Sequence, residues 1–330
     1  MKDFFWTTVS CIKGVGSKTL IQLYEHYPLL NFHNVEEYVF DMPKKSWQSL
    51  LSKENIEIAK ERATQLIKVH EENDITVIPI SSEWYPAYVR IIPDPPTLLF
   101  AKGNLDLLKE KNNLAVVGTR QPTKIGFKSA IKIAKTFAEM GYTIVSGLAL
   151  GIDTAAHEGA LAVKNGRTIA VLAGNLTEIY PAANKKLAMD ILEHGGLWLS
   201  ETPIGQPNNR GNFVKRDRIQ SGLSLGVCPV QTPVKSGTQH TITFSKEQNR
   251  FLFTPIPLEQ DKHENAIQGN LELIEKGVAL LENKESYASL HKSMMQYREK
   301  LDEEHEKRFT KKGKQEEKTE EDIEQLKLFE

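Results

Sequence analysis

Cysteine is scarce: the 330 residues hold two, Cys11 and Cys228, far apart and outside any metal-ligand spacing. They give no disulfide framework and suit a reducing compartment. An excess of one charge is missing too, since 42 Lys and Arg face 43 Asp and Glu for a formal net charge of -1. The chain is no polycation, so nucleic-acid binding would have to come from a local basic patch. No run approaches the roughly 18 apolar residues that span a bilayer. The opening MKDFFWTTVS has no basic segment followed by an apolar one, so no signal peptide is expected. No segment repeats at a fixed period, which argues against a solenoid. Neither G-x-S-x-G nor H-E-x-x-H occurs. These absences lead us to expect a cytoplasmic protein that is not an enzyme and has no membrane segment, metal or cofactor.

What is present reads as globular, with 40% hydrophobic and 26% charged residues. A chain this long suggests two or three domains. Residues 1–70 are expected to be helical, with Trp6, Ile12, Leu20, Leu23 and Tyr24 spaced for one helix face. Within them, Ile12-Lys13-Gly14-Val15-Gly16-Ser17 resembles a helix-hairpin-helix turn, with Ser17 placed to cap the next helix. Such a turn can leave N–H groups free for a phosphate or can simply join two helices of a bundle.

From about residue 75 the pattern changes. Apolar runs at Thr76–Ile80, Thr97–Phe100, Leu114–Val117, Thr143–Ser146, Thr168–Leu172, Leu197–Ser200, Leu225–Val230 and Phe251–Thr254 alternate with helical periodicity. Over 75–290 this predicts an α/β fold, a largely parallel sheet with helices on both faces. Residues 291–330 form a charged tail, either a solvated helix or disordered.

Phosphate chemistry is expected where strands end, because open α/β sheets bind ligands outside their carboxyl edges. Gly118, Thr119 and Arg120 follow the third run, and a helix begins near Lys124. That glycine would let a phosphate approach the backbone, and the helix N-terminus would favour an anion. Lys124, Lys128, Lys132 and Lys135 line one side of this helix, as phosphate ligands or as a solvated face. Ser146 and Gly147 offer donors at the next strand end, and Asp153 is placed to cap the helix bearing His157. Asp153 and His157 could also form an acid–base couple, though a cap and a structural histidine fit better. Asn184 is placed to cap a third helix, where Lys185 and Lys186 in the first turn oppose the helix dipole unless an anion binds. Finally, Phe213, Arg216 and Arg218 bring cations beside an aromatic ring, suited to a phosphate and a base. Asp217 could instead pair with an arginine and hold the segment together.

Taken in order, these segments resemble the DNA-processing protein A (DprA/Smf) family. The resemblance rests on Ala115–Arg120, Ile144–Ala149 with Gly151-Ile152-Asp153 and Ala156-His157, and Ile169–Leu172. It continues through Tyr180-Pro181 with Asn184, Ser200-Glu201, Arg216–Ile219 with Gly222-Leu223-Ser224, Ser236-Gly237-Thr238 and Gly269-Asn270. It implies an extended Rossmann-like domain after a small helical one, binding of single-stranded DNA, delivery to the RecA recombinase, and a homodimer. Its roles would lie in DNA uptake and natural transformation, recombination, or defence against foreign DNA such as phage. The basic pocket of the family would fall on Arg120 and on Lys185 or Lys186, near Arg216 and Arg218.

Departures are visible. Arg216-Asp217-Arg218 stands where the family usually has Arg-Asn-Arg, and Pro255-Ile256-Pro257 replaces a usual Pro-Gly. No C-terminal winged helix is expected in so charged a tail. At the end, Gln325, Leu326, Leu328 and Phe329 resemble the peptide that replication proteins insert into the sliding clamp. A competing reading is a nucleotide sensor or nucleotide-cleaving enzyme on a related fold, since strand-end phosphate sites serve mononucleotides equally well. A dehydrogenase fits less well, because Gly118-Thr119-Arg120 is not G-x-G-x-x-G.

Overall fold

A computed structural model describes residues 2–310. The clamp-like motif at Gln325–Phe329 therefore lies outside the described residues. In chain order the elements are α1 (Lys2–Ser10), α2 (Ser17–His26), α3 (Val35–Asp41), α4 (Lys45–Leu50), α5 (Lys53–Glu71), β1 (Thr76–Pro79), α6 (Ala87–Arg90), β2 (Leu98–Gly103) and β3 (Asn113–Val117). Then follow α7 (Lys124–Glu139), β4 (Thr143–Ser146), α8 (Ile152–Leu161), β5 (Arg167–Val171), α9 (Lys185–Glu193), β6 (Leu197–Ser200) and α10 (Arg210–Leu223). The chain continues through β7 (Gly226–Pro229), α11 (Thr238–Glu247), β8 (Phe251–Pro255), α12 (Gln268–Glu275), β9 (Ala279–Leu281) and α13 (Ser286–His305). The described residues form two compact units, one of residues 2–65, 78–98 and 299–310, the other of residues 66–77 and 99–298.

The first unit is a helical cluster around aromatic rings. Trp6 meets Tyr24 edge-on at 5.0 Å, and Phe5 meets Phe32 edge-on at 5.1 Å, a geometry that the ring quadrupoles favour. Gly14 has φ +95°, so the bend before α2 uses backbone that side chains seldom adopt. Ser17 does not cap α2. Gly16 holds the cap position without a side-chain bond, and the Ser17 hydroxyl goes to the carboxylate of Asp94. The end of the described chain joins this unit: Tyr88 donates to Asp302 at 3.0 Å, and Arg308 donates to Glu25 at 2.7 Å. Over its described part, the charged C-terminal stretch is helical.

The second unit carries the sheet, in the order β1-β2-β6-β5-β4-β3-β7-β8-β9. From β6 to β9 neighbours run parallel, and β2 is antiparallel to β6. Every residue of β3, β4, β6 and β7 is buried, as their unbroken apolar runs require of strands covered on both faces. Strands β3 to β6 advance in one direction across the sheet and β7 to β9 in the other. Right-handed crossovers therefore put α7, α8 and α9 on one face and α10, α11 and α12 on the other. The fold is an extended, largely parallel Rossmann-like sheet with helices on both faces. The short β9 has no counterpart among the expected runs, since three residues are too few for a pattern. Helices α7 and α8 cross closely because Gly159 lets the carbonyl of Ile131 come where a Cβ would stand.

Candidate functional site

Strand β3 lies between β4 and β7, and the chain leaves it in opposite directions on its two sides. Loops at such a reversal part and leave a crevice at the carboxyl edge. The Gly118–Arg120 loop forms one wall. Gly118 is glycine for a packing reason: a Cβ there would stand 2.6 Å from Ile152 and 2.7 Å from the carbonyl of Gln231. The space expected for a phosphate against Gly118 is thus filled by the protein. Thr119 donates its N–H to Gln231 at 2.8 Å and accepts from Ile152 N–H at 3.2 Å. Gly151, at φ +82°, admits the carbonyl of Thr119 where a side chain would be 2.5 Å away. The loop is pinned, and the exposed Arg120 side chain points from a fixed base.

The N-terminus of α7 does not serve an external anion. Thr123 caps it, accepting from Gly126 N–H at 3.0 Å, and donates its hydroxyl to Asp261 at 2.7 Å. The Gln231 side chain accepts from Thr123 N–H at 2.9 Å. The buried Asp261 supplies the negative charge that the helix end favours.

The floor of the crevice is a buried charge cluster. Arg216, on α10, donates to the carbonyl of Val171 at 3.1 Å. It stands 3.9 Å from Asp153 and 3.1 Å from Asp217. Asp153 does not cap α8, whose cap position belongs to Gly151. Its carboxylate instead accepts from the N–H groups of Gly147 at 3.1 Å and Ala149 at 3.3 Å, because a loop with Leu148 at φ +59° turns them inward. A Cβ at 147 would fall on the Arg216 guanidinium, so this glycine makes room for a charged side chain. With its amide oxygen turned toward them, Gln220 accepts from Gly147 N–H at 2.7 Å and from Arg216 at 2.8 Å. Burial raises the Asp153 carboxyl above its usual range, although Arg216 pulls it down. Burial also pushes Asp217 up to about 7, and Arg216 opposes it.

Asp153 and His157 form no couple. Thr168 spends its hydroxyl proton on the carbonyl of Ile144 at 2.7 Å, so the His157 Nδ1–H donates to Thr168 Oγ1 at 2.7 Å. Burial lowers His157 to about 3 and keeps the ring neutral.

Above the floor, a cavity of about 490 Å³ is lined by the Gly118–Gln121 loop, by Phe213, Arg216 and Asp217 of α10, and by the Lys235–Thr238 segment. Arg120 lies over the Phe213 ring at 5.5 Å, and Tyr180, 57% exposed, meets that ring edge-on at 5.9 Å. Of the residues singled out in the sequence, the structure brings Gly118, Thr119, Arg120, Phe213 and Arg216 together here. Ser146 and Gly147 lie beneath, their donors already used: the Ser146 hydroxyl bonds Val116 O at 2.7 Å and the Gly147 N–H bonds Asp153. Arg218 is turned to Glu201 at 2.6 Å, away from the cavity. Asn184 is buried at the cap position of α9 without a side-chain bond to that helix; its amide donates to the carbonyls of Leu148 and Ala149 and to Thr154, bracing the same loop. Lys124, Lys185 and Lys186 are exposed at the starts of α7 and α9 and do not line the cavity. On the rim, Lys235 carried no motif of its own in the sequence, while Ser236 begins the Ser236-Gly237-Thr238 segment on which the resemblance partly rests. Among the described residues, no helix is long and apolar enough to cross a membrane, and no cluster of three His, Cys, Asp or Glu could hold a metal.

The sequence model of the family described as DNA recombination-mediator protein A matches residues 76–291. The Synechocystis protein Smf is 35% identical over 281 residues, 84% of this chain and 69% of that protein. The Bacillus subtilis DNA processing protein DprA is 41% identical over 201 residues, 61% of this chain and 67% of its own. Among solved structures, DNA processing protein A of Streptococcus pneumoniae superposes with TM-score 0.62 at 32% identity, covering 82% of this chain and 96% of that one. DNA processing protein A of Helicobacter pylori, whose single-stranded DNA binding mode has been described, gives TM-score 0.57 at 29% identity over 68% of this chain and 97% of its own.

Proposed function

Because the chain belongs to the DNA recombination-mediator protein A family, the DprA/Smf proteins, we propose that it binds single-stranded DNA in the cavity between β3 and β7. The observation that carries this reading is the cation and ring at its mouth: Arg120 over Phe213, with Tyr180 beside it. A nucleotide of a single strand offers one phosphate and one unpaired base. The guanidinium can take the phosphate, and an exposed ring can stack on the base whatever its identity. Lys235 adds a second cation at the rim. In a duplex the bases are already stacked, so the aromatic part of the site has no partner there.

The protein acts without catalysis, in the cytoplasm, during DNA uptake, recombination or defence against foreign DNA. Its partners in this reading are RecA, a second copy of itself, and the sliding clamp through Gln325, Leu326, Leu328 and Phe329. Lys124, Lys185 and Lys186 add an outer basic track. The cavity volume of about 490 Å³ also suits one mononucleotide, which keeps a nucleotide sensor as the second reading. Fluorescence anisotropy with labelled single-stranded DNA, duplex DNA and mononucleotides separates the two. Preference for single strands, weakening with salt and lost in Arg120→Ala, is expected. Saturable mononucleotide binding with no DNA binding would overturn the proposal.

A further inference from the structure

The cavity floor holds more negative charge than its one guanidinium offsets. Asp153 and Asp217 approach Arg216 from two sides, and all three are buried. The two acids are not equivalent, although both line the cavity: Asp153 is held by two backbone N–H bonds from the loop after β4, whereas Asp217 leans on Arg216. Arg120 and Lys235, the cations proposed above to take phosphate, line the same cavity as this floor. With both acids ionised, the buried cluster carries one net negative charge, and a low-dielectric setting strengthens its repulsion of the phosphate.

On the single-stranded DNA reading above, we propose that Asp217 sets the anion selectivity of this cavity by coupling entry of each bound phosphate to uptake of one proton by its carboxyl. The proton comes from solvent. Once Asp217 is neutral, the Arg216 charge balances Asp153 alone. Arg120 on the loop after β3 also acts on Asp217, and Lys235 on the loop after β7 lines the same cavity. His157 of α8, beside Arg216, stays neutral with its pKa lowered to about 3 and does not titrate in the range concerned. Arg218, one residue on, is held by Glu201.

The position of Asp217, pushed up to about 7, places the effect near neutrality. The test is the affinity for a labelled single-stranded oligonucleotide between pH 6 and pH 8.5 at fixed salt, for the unmodified protein and for Asp217→Asn. We expect the unmodified protein to lose up to about tenfold in affinity per pH unit above that midpoint, the ceiling for one linked proton. Asp217→Asn should lose this extra slope and bind at pH 8.5 about as tightly as the unmodified protein does at pH 6. Calorimetry in two buffers of different ionisation enthalpy gives a second readout: proton uptake approaching one per site at pH 8 in the unmodified protein. Parallel pH profiles for the two proteins, or no proton uptake, overturn the inference and leave the DNA-binding reading standing. Absence of binding by both proteins at every pH overturns that reading, and this inference with it.

Discussion

Replacing Arg216 by methionine tests whether the charge cluster is assembled as described. Methionine keeps much of the volume and removes the cation, leaving Asp153 and Asp217 buried without their shared partner and the Val171 carbonyl without its donor. Breaking a buried pair by removing one member costs about 3–5 kcal/mol, against a total stability of about 5–15 kcal/mol. The loss must depend on pH. Both carboxyls already have folded-state pKa values raised by burial, and Arg216 is the group holding them down. Its removal raises them further. A carboxyl with a raised folded-state value contributes stability that is complete below its unfolded value and is lost as pH rises through the folded one. The deficit of Arg216→Met should therefore be small near pH 4.5, about 1 kcal/mol for the lost hydrogen bond, and grow to the full range by pH 8. Urea unfolding at the two pH values measures this. Adding Asp217→Asn to Arg216→Met removes one of the two stranded charges and should recover part of the loss at pH 8 only. A deficit independent of pH, or one below 1 kcal/mol at pH 8, would refute the reasoning.

Two further outcomes follow from the same geometry. Lys235→Ala, at the exposed rim, should weaken single-stranded DNA binding evenly across sequences and reduce the slope of log affinity against log salt by about 0.7, the value for one single-strand phosphate contact. An unchanged slope would remove Lys235 from the interface. Gly159→Ala puts a methyl against the backbone carbonyl of Ile131, which cannot rotate away. The overlap should outweigh the helix-propensity gain of about 1 kcal/mol and leave a net loss of about 1–2 kcal/mol, read as a lower Tm; a raised Tm would mean that α7 and α8 are not so closely packed.

The central strands were legible because each is a short apolar run buried on both faces, and β3, β4 and β6 fall within a residue of their expected places. Arg120 was legible for a local reason, its position directly after a strand. The purposes of Asp153 and Asn184 were not. Both stand where a helix begins and both were read as caps, yet each braces the Gly147–Ala149 loop, whose inward turn depends on a left-handed Leu148 that no residue type announces. Arg216 and Arg218 read as phosphate ligands because three cations fall within four residues. The neighbouring Asp217 does pair with Arg216, as its acid in that segment allowed, but the other partners, Val171, Asp153 and Glu201, lie between 17 and 63 positions away, and only the completed sheet brings them together. Lys235 was missed for the same reason: β7 lies beside β3 across a long stretch of chain, and Pro233-Val234-Lys235 carries no pattern to reveal it.

The reversal at β3 has a consequence for the newly made chain. Synthesis through β6 produces Arg120, Tyr180 and the Asp153 loop, but the wall opposite them arrives only when β7 and the Lys235–Thr238 segment have emerged and inserted beside β3. A nascent or truncated chain that stops earlier presents an open strand edge in place of the cavity. Binding competence thus becomes a late event in the life of the polypeptide, and a ribosome-bound fragment ending before residue 225 should have neither the rim lysine nor the wall opposite Arg120.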